Sequence, residues 1–78
     1  MTQSTEGLDA LLVGVIKDNR DKVVEWFNEE PGSWGFLAGR AVLACKEQKG
    51  APLTDPERRI VWHRMWELLT VLKDQTVK

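Results

Sequence analysis

Apolar side chains recur at three- and four-residue spacing along most of the chain, and alternation of period two is nowhere sustained. The first stripe is Leu8, Leu11, Leu12, Val15 and Ile16, and it resumes with Val23, Val24 and Phe27. Between them stands the polar run KDNRDK. At about 100° per residue, Asn19 falls in the middle of the apolar stripe, where a polar amide needs a partner. Aspartate and asparagine compete for nearby backbone hydrogen bonds, so a break near Asp18–Asn19 is favoured over one long helix. The pattern predicts helices over roughly 5–17 and 20–30. Ser4 or Thr5 is placed to cap the first, and Glu30-Pro31-Gly32 ends the second.

Ser33 is the expected N-cap of a third helix over 34–48, closed by Gly50. Its mark is a set of small residues: Gly35, Ala38, Gly39, Ala41, Ala44 and Cys45. Spaced by three and four, they predict close approach of a neighbouring helix. The G-x-x-x-G at 35–39 is familiar from membrane helices, but Arg40, Lys46, Glu47 and Lys49 exclude that setting. A last helix is announced by Thr54-Asp55-Pro56-Glu57, a capping box with proline in the first turn. It is expected over 55–74, about 30 Å long. Residues 1–4 and 75–78 are expected to be flexible ends.

Seen end on, this last helix is apolar over an arc of about 240°, against the ~100–140° that a surface helix of a bundle requires. Either the helix is central in its own fold, or another chain covers its outer edge. Trp62 and Trp66, four residues apart, are neighbours on that edge. Large aromatics are ordinarily core residues. They are also enriched where proteins meet.

Composition narrows the picture. The chain has 78 residues, the size of one domain, and folding at this size buries only about 60–65% of the unfolded surface. Association is then a common source of stability. A single cysteine, Cys45, excludes an intrachain disulfide, and with one histidine it excludes four-cysteine and two-cysteine, two-histidine zinc sites. The net charge of −1 and pI of about 5.8 do not suit a phosphate-neutralising protein. No basic stretch leads an apolar run at the N-terminus, and the longest apolar runs fall far short of the ~20 residues that cross a bilayer. The expected setting is the reducing cytoplasm, away from membranes.

Candidate chemistry is sparse. His63 lies on a narrow polar strip with Arg59, Glu67, Thr70 and Asp74, where a solvated imidazole beside Glu67 is expected. Cys45 and His63 are the one conceivable nucleophile and base, but Cys45 sits among Ala41, Val42 and Ala44, which favours a buried, inert thiol. Phosphate-binding loops, dinucleotide fingerprints and hydrolase elbows are absent. Arg58, Arg59 and Arg64 open the last helix, as in helix–turn–helix readers of DNA. Asp55 and Glu57 beside them, and the negative total charge, argue against that use.

The sequence therefore predicts an all-α protein: a compact bundle of three helices, or four if the first breaks near Asn19, with short connections. The expected function is a non-enzymatic interaction module with no catalytic residues, cofactor or metal. Its partner is itself, as a dimer, or another protein, through an interface drawn from Trp62, Trp66, Arg59 and His63. Nucleic-acid binding through Arg58, Arg59 and Arg64 is the alternative.

Overall fold

The structure, a computed structural model, describes residues 5–76. The proposed Ser4 cap and the flexible ends at 1–4 and 77–78 lie outside the described residues. Four helices follow one another: α1 (Thr5–Asp18), α2 (Arg20–Phe27), α3 (Ser33–Lys49) and α4 (Asp55–Thr76). The all-α bundle is as expected, in its four-helix form. α4 runs two residues past the expected end at 74, to Thr76. Asp74-Gln75-Thr76 contains no glycine or proline to stop it.

The break between α1 and α2 is made by one side chain. Asn19 Nδ2 donates to the carbonyl of Val15 at 2.8 Å, the acceptor that a continuing helix would offer to the Asn19 backbone N–H. That N–H turns instead to Ile16 O, at 3.2 Å. The Asn19 carbonyl then starts α2 by accepting from Lys22 and Val23 at 3.0 and 3.1 Å. The half-buried amide has found its partner by replacing a rung of the helix.

α2 ends at Phe27, short of the expected 30. Glu29 takes a left-handed conformation, φ 60°, and its N–H donates to Trp26 O at 3.0 Å while Glu30 N–H donates to Glu25 O at 2.9 Å. These two bonds form a Schellman motif, whose left-handed position normally belongs to glycine. A glutamate there carries a backbone cost of about 1–2 kcal/mol.

Ser33 also departs from expectation: it is the first residue of α3, and Gly32, at φ 84°, is the cap. The Ser33 side chain is buried, so its hydroxyl must find an acceptor, and it donates to Glu30 O at 2.8 Å. Gly50 closes α3 in the left-handed conformation, as expected. The capping box is complete: Thr54 N–H donates to Glu57 Oε1 at 2.8 Å, and Glu57 N–H donates to Thr54 Oγ1 at 3.3 Å.

α3 is the hub, packed against α1, α2 and α4. Its inward stripe is Leu37, Ala38, Ala41 and Cys45. Leu12 of α1 and Met65 and Leu69 of α4 meet it in the core, all fully buried. Half of the small-residue expectation therefore holds. Gly35 and Gly39 do not serve close packing, since a Cβ built on either meets nothing within 4 Å. α4 is not central either. Val61, Met65 and Leu69 are buried, while Trp62 and Trp66 at one edge of that stripe and Ile60 and Val71 at the other remain 40–58% exposed.

Two substitutions should move stability in opposite directions. Thr54→Ala removes the cap of the longest helix and should cost about 0.5–2 kcal/mol. Glu29→Gly should stabilise by about 1 kcal/mol, because glycine adopts the left-handed position without steric cost. Urea midpoints measure both, and an unchanged or lowered midpoint for Glu29→Gly would refute the strain at that residue.

Candidate interaction face

One side of the molecule gathers three of the four tryptophans. The Pro31-Gly32 turn sets Trp26, near the end of α2, beside Trp34, in the first turn of α3, and α4 brings Trp66 to both. Trp66 stands with its ring centroid 5.2 Å from that of Trp26 and 5.2 Å from that of Trp34, at 87° in each case. Such edge-to-face pairs contribute about 0.5–1.5 kcal/mol beyond their buried area. Trp66 nevertheless stays 49% exposed. It is half core and half surface, which neither simple expectation for the pair described.

Trp62, one turn earlier, is 40% exposed. It borders an open groove of about 410 Å³ that runs over Gly35, Ala38 and Gly39 of α3 and is also lined by Trp34 and Arg58. The glycines are what keep the groove open.

The rest of the predicted site lies on the polar strip. Arg59 is exposed. His63 is 74% exposed and places Nε2 3.1 Å from Glu67 Oε2, the solvated pairing expected of it. Glu67 also accepts from Arg64 Nη1 at 2.9 Å. Arg64 reaches across to α1 with its other two nitrogens: Nε and Nη2 donate to the two carboxylate oxygens of Asp9 at 2.7 and 2.8 Å. Arg58 is engaged locally, donating to Leu53 O at 3.2 Å and pairing with Asp55. Two of the three arginines put forward for nucleic acid are thus already held by carboxylates of this chain.

These contacts set the local proton affinities. The hydrogen bond from Arg64 holds the Asp9 carboxyl below its ordinary range, and the same guanidinium lowers Glu67. Arg64 in turn is raised, first by Asp9 and then by Glu67. Glu57 is lowered by Lys49 Nζ, which donates to it at 2.6 Å, and by the Thr54 N–H.

Cys45 lies in the core, where burial pushes its thiol up. Among the described residues no hydrogen bond joins it to His63, whose ring is in solvent. Nor, among the described residues, do three His, Cys, Asp or Glu side chains converge as metal ligands would. No described helix is long and apolar enough to cross a membrane.

Sequence reasoning missed Trp26 and Trp34 as companions of Trp66, and Asp9 as the partner of Arg64. No periodicity links positions 9 and 64; only the folded topology does. That Trp26 and Trp34 lie close enough to share Trp66 had a faint signal in the short Pro-Gly turn between them. Comparison of the chain with protein families, curated proteins and solved structures returned no match.

Asp9, Glu57 and Glu67 all titrate lower in the folded chain than their ordinary values. Their contribution is therefore complete above the carboxylate range and is lost as acid protonates them. Urea midpoints should be flat from about pH 7 to 5 and fall below about pH 4. Asp9→Asn should make that acid slope shallower. A slope as steep as that of the wild type would show that the Arg64 fork is not a source of it.

Proposed function

We propose that the protein is a non-enzymatic helical interaction module that pairs with a second copy of itself through the Trp62–Trp66 edge of α4. The observation that carries this reading is the coexistence, on one face, of a partly exposed indole and an open groove floored by glycines. Trp62 is 40% exposed beside Gly35 and Gly39, whose Cβ positions face empty space. In a two-fold pairing each surface patch meets its own copy, so a knob and a hole on one face satisfy each other twice. Tryptophan is among the residues that most often anchor such contacts. Arg59 and His63, exposed on the neighbouring strip, would form the polar rim. Nucleic-acid binding ranks second, because Arg58 and Arg64 already spend their donors on this chain.

Molar mass in solution across micromolar to millimolar concentration tests the reading. Wild type should approach twice the chain mass. Trp62→Glu should return it to the monomer with helicity kept, since the new charge sits at an exposed position. Gly39→Leu should do the same by filling the groove, and should fold at least as well, because leucine is favoured over glycine in a helix by about 0.5–1 kcal/mol. A wild type that stays monomeric throughout would overturn the proposal.

A further inference from the structure

Between the end of α2, the start of α3 and the later half of α4 lies a pocket of about 530 Å³. That is the size range of small-ligand sites, about 300–1,000 Å³. Trp26, Trp34 and Trp66 line it, and its charged lining residues are Glu29, Glu30 and Lys73. The chemistry of this lining is specific. The faces of indole rings are electron-rich and attract cations, and nearby carboxylates add net negative charge.

The chain already supplies one cation to it. Lys73 Nζ lies 5.6 Å from the Trp26 ring centroid and 3.6 Å from Glu29 Oε2. An ammonium over an indole and beside a carboxylate shows what the pocket accepts. Lys73 is tethered by a flexible four-carbon stem, so it can withdraw when a better-fitting cation arrives. Glu29 supplies a second observation: it holds the left-handed position of the α2 cap, where glycine would sit without strain. The turn does not call for a carboxylate there; the pocket does.

We propose that the Trp26–Trp34–Trp66 pocket, with Glu29 at its edge, binds an alkylammonium group and that Lys73 is the internal occupant it displaces. The group could belong to a free quaternary amine or to a methylated lysine side chain; both present the same methylated nitrogen to the rings. The site shares Trp34 with the Trp62 groove and Trp66 with the proposed self-contact, so binding is titrated at a concentration where the chain is monomeric.

The experiment is a titration followed by indole fluorescence. Choline chloride and a peptide carrying trimethyllysine are the two cationic probes, 3,3-dimethylbutanol is the neutral isostere of choline, and ionic strength is held constant with sodium chloride. A saturable change is expected with a cationic probe and not with the isostere. Tighter binding of choline assigns the site to free amines; tighter binding of the peptide assigns it to modified side chains. Lys73→Ala should tighten binding several-fold by emptying the pocket. Glu29→Gln should weaken it about two- to fivefold, the size of a lost solvent-screened attraction between opposite charges. Glu29→Gly should weaken it equally while stabilising the fold, which separates loss of binding from loss of structure. Absence of a saturable change with both cations, in wild type and in Lys73→Ala alike, would overturn the proposal. So would equal affinity for the isostere.

Discussion

A helix that must touch three others at once is the constraint on which this structure depends. α3 meets α1, α2 and α4, and it can do so only because its inward stripe is short in side chains. Ala41, fully buried, and Ala38 and Cys45 beside it leave room for Leu12, Met65 and Leu69 to reach the same core. A larger residue at Ala41 would push a neighbouring helix outward. With α3 in the centre, α4 is left to a flank. A flanking helix can bury only one side, yet α4 is apolar around most of its circumference. The exposed Ile60, Trp62, Trp66 and Val71 are the remainder. The exposed apolar surface of α4 is thus a consequence of how the core was filled.

Local chemistry was legible in the sequence. The break at Asn19 follows from an amide on an apolar stripe, and the Thr54–Glu57 box from a spacing of three; both involve partners within one turn. Gly50 as the α3 cap is of the same kind. Ser33 misled because serine before a helix usually caps it, whereas here burial redirects the hydroxyl backward to Glu30. The small residues of α3 misled in part because size does not tell which side faces in: alanines and the cysteine point to the core, glycines 35 and 39 to open space. Contacts between distant segments were not legible at all. Asp9 and Arg64 are 55 positions apart, and nothing in either neighbourhood names the other.

The electrostatics of the molecule follow from that distant pairing. Arg64 sits within the broad apolar arc of α4, where an unpaired guanidinium would be costly to shield from water. The fork onto Asp9 turns the intrusion into a tie between the first and last helices, and Glu67 extends it toward His63. A net charge near zero thus conceals strongly paired charges rather than a neutral surface. Phosphate recognition needs cations with donors to spare, and on this face Arg59 is the arginine without a carboxylate among the described contacts.

The order of the helices along the chain has a bearing on biosynthesis. α1, α2 and α3 emerge from the ribosome first, and they include the hub. Until α4 follows, Leu37 and Ala41 lack the cover that Met65 and Leu69 provide in the finished core. The nascent chain thus passes through a stage with the core stripe of α3 open on one flank, the kind of surface that chaperones hold and that aggregates when crowded. α4 follows α3 along the chain and is the longest of the four described helices, so the stripe stays uncovered until its 22 residues have left the ribosome.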